Sequence, residues 1–527
     1  MTKSFNSIGV KESVGRVESI INEVCIISGL ESVALNNVVQ FSSGVRGIVL
    51  GFTQQEAQII LLGNYQNLRR GELVKIISPS LKINVSEKLL GRIISPLGEP
   101  LDNKGEIEKG LLKDIEGTAK KVNERKQIIT QLNTGYILID SQIPIGKGQR
   151  ELFIGEKKIK KSDVAAAIIA NQTKINSNVA SIFVTIDAES THVKRRLSQL
   201  YQYGAFRNTI VILSRSSDPA SLNYIAPMTG MTIAETLAGL GKDVLIVFDN
   251  LTAHAKVYRQ LSLLLNRPPG REAYPGDIFY LHTRLLERCG SFSDKVGNGS
   301  ITAIPIVETQ SEEFTDFITT NLMAITDGHI LFRQSLANKG IQPAIDIGYS
   351  VTRIGGKSQP KLLRELSDKL KTVIIRYHEV EKFISLGTEI QKNTYEIIEL
   401  GKRIDLIFHQ SLNDLLTLEY EIGMLYLLVS KKILMWNYEV IAELKLKFHS
   451  YSQEDSYIAS VQKALSLKSL DKSKEILESV INDFIKDPKT PPIVQKTEQS
   501  EAEKETIVDL LKESTGDQYA VSRNIKK

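Results

Sequence analysis

Cysteine is nearly absent. Cys25 and Cys289 are the only two in 527 residues, and they stand far apart without metal-ligand spacing. That excludes a disulfide framework and a thiolate metal site, and it reads as a reduced, cytosolic chain. Long apolar runs are missing as well. The opening MTKSFNSIGVKES has no apolar stretch of the kind a secretory signal needs, so no signal peptide is expected. The most apolar late segment, Ile422 to Trp436, is interrupted by Lys431 and Lys432 and is too short to span a bilayer. Nor does one sign of charge dominate. Lys and Arg total 66 against 61 Asp and Glu, and the formal net charge of +5 is too small at this length to argue for nucleic acid. What is present, 42% apolar and 24% charged residues, is ordinary for a soluble globular protein. The length predicts two to four domains.

Residues 1–85 carry short apolar runs with turn signals, among them Gly15–Val17, Val33–Phe41, Gly47–Leu50, Ile59–Leu62 and Leu73–Ile77, which predict a small β-barrel or sandwich. Leu89–Gly105, dense in Gly, Pro, Asp and Asn, reads as a loop-rich junction. Within 86–360, apolar runs at Ser181–Ile186, Thr209–Leu213, Val244–Phe248, Ala303–Val307 and Ile330–Phe332 alternate with helical patterns such as Thr191–Tyr203 and Thr232–Leu240. Such alternation predicts a parallel α/β sheet of nucleotide-binding type. Residues 361–486 turn helical. Leu362, Leu363, Leu366, Leu370, Ile374, Tyr377, Val380 and Ile384 form one apolar stripe, and Leu406–Leu428 and Ile476–Ile485 continue the style. The polar 487–527 is expected to be a disordered tail, with a short helix capped by Ser500 and Glu503 running through Leu510 and Leu511. No internal repeat is evident. The expected fold class is therefore multidomain α/β: an N-terminal small β-barrel, a central parallel α/β nucleotide domain and a C-terminal helical bundle.

The organising stretch is Ile154–Ala170, IGEKKIKKSDVAAAIIA. An apolar strand, a Gly-initiated loop, Lys161-Ser162 and an Ala-rich helix follow the layout G-x-x-x-x-G-K-[ST] of a phosphate-binding loop. In such a loop backbone N–H groups cradle phosphate, the lysine reaches the β- and γ-phosphates and the hydroxyl ligates Mg²⁺. Gly155 is in place, but the second glycine is Lys160. Glycine is favoured there because a bare backbone approaches phosphate closely and adopts φ > 0. A second candidate is VLIVFD, whose Asp249 ends an apolar strand where phosphate-loop enzymes keep a carboxylate for Mg²⁺. The bland alternative, a buried strand closed by a capping Asp, has about even weight until Asp249 is set beside Lys161 and Ser162.

Several longer segments carry a resemblance. They are RPPGREAYPGDIFYLHTRLLER (Arg267–Arg288), LLGRIISPLGEPLD, IDSQIPIGKGQRELFIGE (Ile139–Glu156), ETQSEEF (Glu308–Phe314), TNLMAITDGHI and KGIQPAIDIGYSVTRIGG (Lys339–Gly356). Together, from about residue 14 to 485, they resemble the α subunit of the F-type rotary ATPase head. PPGREAYPGD and TRIGG resemble α rather than the paralogous catalytic β. The resemblance implies a 3:3 hexamer with a β-type catalytic subunit around a γ-type rotor shaft, with stator or other attachment proteins. It places the chain in the cytoplasm, peripheral to the cell membrane and touching it only through the complex. It also implies ATP or ADP with Mg²⁺ at the partner's sites, and a chain that is itself non-catalytic. By motif match Arg353 would be the arginine finger lent to the partner's site. A guanidinium fork neutralises charge spread over the phosphoryl oxygens. The bland alternative for Arg353 is a loop arginine pairing with Asp346.

In the family, α also holds a nucleotide of its own. The positions carried over here are Gly155, Lys161, Ser162, Asp249 and Gln410, with Ser162 and Asp249 as Mg²⁺ ligands. Departures cluster around them. Besides Lys160, the Gly-Gln-Lys after the strand at 181–186 is Asp187, Ala188 and Glu189. The Arg before Pro343 is Gln342, the acidic pair closing the metal strand is Asp249-Asn250, and Gln-Gly-Gln near the adenine is Gln410, Ser411 and Leu412. Loss of nucleotide from this site is the preferred expectation over drift with binding retained. The helical arm that family members carry before the barrel has no counterpart in fourteen residues, and the tail beyond Lys486 is extra. Both leave open an α-type subunit of a related hydrolytic motor that drives a surface or motility apparatus. A stand-alone ATPase is disfavoured because Ala188 offers no general base.

Overall fold

The computed structural model describes residues 14–175, 178–385, 392–487 and 490–492. The start of the chain through residue 13 and the expected helix around Ser500–Leu511 lie outside them. The described chain divides into two compact units. The first comprises 1–129, 146–338 and 344–354, the second 130–145, 339–343 and 355 onward.

In the first unit, six strands close a barrel. They are β1 (Val14–Ile21), β2 (Val24–Ser28), β3 (Val38–Phe41), β4 (Arg46–Phe52), β5 (Glu56–Leu62) and β6 (Leu73–Ser78), ordered β1-β2-β5-β4-β3-β6 with β6 returning antiparallel to β1. Successive side chains on a strand point to opposite faces. Cys25, Val39, Val49 and Ile59 accordingly fill the barrel, while their neighbours Val24, Val38, Ile48 and Ile60 join a core continuous with the sheet domain. Two buried faces explain why runs such as IILL show no clean alternation of polar and apolar residues.

The sheet domain is built on β7 (Ile93–Ile94), β8 (Glu151–Glu156), β9 (Val179–Thr185), β10 (Thr209–Ile212), β11 (Asp243–Asp249), β12 (Ser300–Thr309), β13 (Gly328–Leu331) and β14 (Val351–Thr352). Their order is β14-β13-β8-β12-β11-β9-β10-β7, and every neighbour pair along it is parallel except β13/β14. All seven residues of β9 are buried, as parallel strands covered on both faces must be. One expectation is corrected: the junction Leu89–Gly105 is not wholly loop, since Ile93 and Ile94 pair with Val211 and Ile212 at the sheet edge. The helical pattern at Thr232–Leu240 is the second half of a longer helix, Ala220–Gly239, which tolerates Pro227 in its interior.

The second unit holds the helices Lys361–Ser385, Lys392–Phe408, Leu418–Val429, Ile441–Tyr451, Asp455–Ser466 and Leu470–Lys486, with the short helix Ile137–Gln142. Leu363, Leu366, Leu370, Ile374 and Tyr377 are buried along one stripe of the first. The helical style expected across Leu406–Leu428 is broken after Phe408. The next helix restarts at Leu418, where the Thr417 hydroxyl accepts from Tyr420 N. Within the expected tail, Pro491 O accepts the indole N–H of fully buried Trp436 at 3.0 Å. Among the described residues no helix is long and apolar enough to cross a membrane.

A buried acid pair ties this unit together. Asp140 accepts from Thr134 N and Gly135 N at 2.9 Å, and burial pushes its carboxyl up to about 6. Burial first, and then the Asp140 charge, hold Glu421 well above the usual carboxylate range. Among the described residues neither Glu421 oxygen has a hydrogen-bond partner. A carboxyl raised on folding contributes stability that is full below its ordinary value of 4.5 and is lost as pH rises through the folded value. Glu421→Gln keeps the shape of the side chain and removes its ionisable proton. It is expected to flatten the loss of stability above pH 5, so that the variant outlasts the parent at pH 8 in thermal unfolding. Parallel pH profiles for the two would refute it.

Candidate functional site

The end of β8 and the helix Lys161–Ile175 bracket the loop 155–162. Gly155 is required by crowding, since a Cβ there would stand 2.7 Å from Phe332 O. Further along, Lys158 and Lys160 take φ of +74° and +65°. Lys160, where the phosphate-loop pattern has its second glycine, thus adopts the left-handed conformation with a full side chain, at about 1–2 kcal/mol of strain. Lys161 is buried, and its ammonium donates to Gly155 O at 2.7 Å and to Glu156 O. Burial lowers its pKa to about 8, opposed by the charges of Glu308, Asp249 and Glu156. The Ser162 hydroxyl donates to Asp249 Oδ1 at 2.9 Å.

Asp249 closes β11, and Asn250 after it is not a second metal acid but a helix cap. Its side chain accepts from Ala253 N at 2.7 Å and starts the helix Leu251–Leu264. Glu308 was not singled out by pattern. It reaches the site because β12 places it opposite Gly155 in register, and its N–H is fixed by Thr252 Oγ1 at 2.9 Å. The available signal was a carboxylate near the end of a continuous apolar run.

Beyond β9, Asp187 sits at φ +53° with its N–H on Asn223 Oδ1. Ala188 donates its N–H to Ser214 O. Glu189 is exposed and pairs with Lys157 at 3.7 Å. Asp163, one residue past the loop, is buried and clamped by Arg195 at 2.8 Å and by Gln199 at 2.6 Å. Ser162 and Asp249 suit a hard divalent cation as oxygen donors, with water or phosphate completing the shell. Among the described residues no cluster of three metal-ligating acids, His or Cys forms. The phosphate cradle fits less well, since Lys160 occupies the turn.

Gly155, Lys161, Ser162 and Asp249 thus converge in the first unit. Gln410 belongs to the second, and its amide is committed there: it donates to Gly135 O and Asp414 O, and accepts from Ile137 N at 3.2 Å. Gln410 N donates to Gln342 O at 2.7 Å.

Arg353 follows β14 in the first unit and is exposed. Its N–H donates to Asp327 O at 2.9 Å and its Nη1 to Thr326 O at 3.3 Å. The pairing with Asp346 does not form. Asp346 is taken by Arg333, at 2.6 Å.

A barrel, a parallel sheet with a phosphate-type loop and a trailing helical unit define a modular nucleotide-binding subunit. Residues 10–77 match the beta-barrel domain of the ATP synthase alpha/beta family, 135–352 its nucleotide-binding domain and 359–484 its C-terminal domain. The chain belongs to that family. It is 39% identical over 465 residues to ATP synthase subunit alpha of Mycoplasma capricolum subsp. capricolum, covering 88% of each chain. It is 38% identical to the alpha subunit of Petrotoga mobilis, over 92% of this chain and 96% of that one. The alpha subunit of Dehalococcoides mccartyi (strain 195) is 40% identical, over 80% and 84%.

Proposed function

We propose that this chain is the non-catalytic alpha-type subunit of a rotary ATPase head. It alternates with a beta-type subunit in a 3:3 hexamer around a gamma-type shaft, and it lends Arg353 to the partner's nucleotide site, where ATP or ADP and Mg²⁺ bind. The observation that carries this reading is the state of Arg353. Its backbone is fixed by Asp327 O, its side chain is exposed, and no carboxylate among the described residues lies within ion-pair distance. A guanidinium presented in this way is available to a negative group on another molecule. Membrane association follows only through the complex.

Ala188 supports the non-catalytic half of the reading, because nothing at that position can take a proton from water. In the chain's own site, Ser162 and Asp249 would hold Mg²⁺ and Lys161 a phosphate. Lys160 weakens the cradle, so this site binds nucleotide poorly or holds only phosphate. The purified chain alone is expected to show negligible ATP turnover, and turnover is expected to appear when the beta-type partner is added. Calorimetric titration of the chain with Mg-ATP should show weak binding that Lys160→Gly strengthens about tenfold, the equivalent of releasing about 1.4 kcal/mol. Substantial turnover by the chain alone would overturn the proposal.

A further inference from the structure

Three consecutive residues lie beneath the Arg353 segment. Gln149 is fully buried, and both of its amide donors and its carbonyl oxygen are engaged. Nε2 donates to Glu151 Oε2 at 2.6 Å and to Thr352 Oγ1 at 3.1 Å, while Oε1 accepts from Gly146 N at 2.8 Å. Its backbone is pinned as well: its N–H donates to Gly146 O and its C=O accepts from Ala303 N, both at 2.9 Å. Arg150 grips Asp327 through Nε at 2.9 Å, Nη2 at 2.8 Å and its own N–H at 3.0 Å. Asp327 in turn offers its C=O to Arg353 N. Glu151 is fully buried, with one oxygen on Gln149 and the other without a partner.

The strand that delivers Arg353 is weak by itself. β14 is two residues long and pairs antiparallel with Gly328 and His329 only. So short a strand leaves its lateral position underdetermined by ladder hydrogen bonds. Here the position is set from below by side chains of β8 and the turn before it. Because both Gln149 N–H donors are committed and the side chain is fully buried, Thr352 is held at one place, and Arg353 leaves the sheet from that place.

We propose that Gln149 is a positioning residue for Arg353, acting through the Thr352 hydroxyl, while Arg150 fixes the backbone of the same segment through Asp327. The inference rests on the reading of Arg353 as the arginine lent to the partner's site. Gln149 touches neither nucleotide nor partner in this account. It decides where the guanidinium stands, and a displacement of about 1 Å at such a group costs up to roughly a hundredfold in rate.

The test uses the full chain assembled with its beta-type partner, with ATP hydrolysis resolved into kcat and KM. Gln149→Leu strands several buried polar groups and could prevent folding, so the decisive variant is Thr352→Val, which removes only the hydroxyl. It is expected to lower kcat about tenfold with KM changed less than about twofold, the pattern of a contact felt in the transition state alone. Thr352→Ser, which restores the hydroxyl, should recover the rate. In an Arg353→Lys background Thr352→Val should add less than about a twofold loss, because coupled residues fail to add. An unchanged kcat in Thr352→Val overturns the inference, and so does an equal loss in both backgrounds. If Arg353→Lys alone leaves kcat intact, it is the reading of Arg353 that fails.

Discussion

Arg353→Lys in the complex with a beta-type partner is expected to lower kcat by about a thousandfold or more, with assembly and KM nearly unchanged. An arginine finger contributes roughly 10³ to 10⁵ in rate because the transferring phosphoryl group spreads negative charge over several oxygens at once. A planar fork meets two of them with fixed geometry. An ammonium on a flexible stem keeps the charge but not the geometry, and it reaches less far. Assembly should survive, since Arg353 is exposed and, among the described residues, its side chain supports a single carbonyl, Thr326 O. Steady-state hydrolysis by matched complexes gives kcat and KM, and gel filtration gives the assembly state. A kcat equal to the parent's would remove Arg353 from the mechanism.

The second large effect is on stability. Arg288 ends the motif that carries the resemblance, and it is 2% exposed. Its guanidinium donates to Glu235 at 2.6 and 3.1 Å, to Thr232 Oγ1 at 2.9 Å and to Ile115 O at 3.1 Å. Gly117 lies against it so closely that a Cβ there would stand 2.8 Å from Nη2. Arg288→Met fills much of the volume but strands Glu235 and two oxygens, at a cost of about 3–5 kcal/mol. Arg288→Met with Glu235→Leu replaces the pair by apolar groups, and most of the loss should return. Urea unfolding of the chain measures both. Equal destabilisation in the single and double variants would show that lost packing, not the stranded charge, sets the penalty.

Much of the fold was legible because burial leaves its mark on composition. Strands covered on both faces appear as unbroken apolar runs, and β9, β10, β11 and β12 lie within about three residues of where such runs predict them. The apolar stripe from Leu362 to Tyr377 likewise follows from helical spacing. Ile93–Ile94 escaped, since two residues carry no period and sit among Gly and Pro. The break between Phe408 and Leu418 escaped too, because apolar content persists on both sides and only the cap at Thr417 marks the restart.

For the site, the sequence alone pointed to candidate phosphate and Mg²⁺ residues. Lys161, Ser162 and Asp249 stand at the expected offsets, and Lys160 and Ala188 occupy positions where the chemistry asks for other residue types. For Lys160, Lys161 and Ser162 local spacing suffices, because a phosphate loop is a contiguous piece of chain. Tertiary structure decided the rest. It brought Glu308 opposite Gly155, gave Asp346 to Arg333 rather than to Arg353, made Asn250 a cap, and set Gln149 under Thr352, 203 residues away in the chain. These pairings depend on strand order and register, and hydrogen bonds and ion pairs act only over a few ångströms. No local pattern can encode which distant residues arrive within that range.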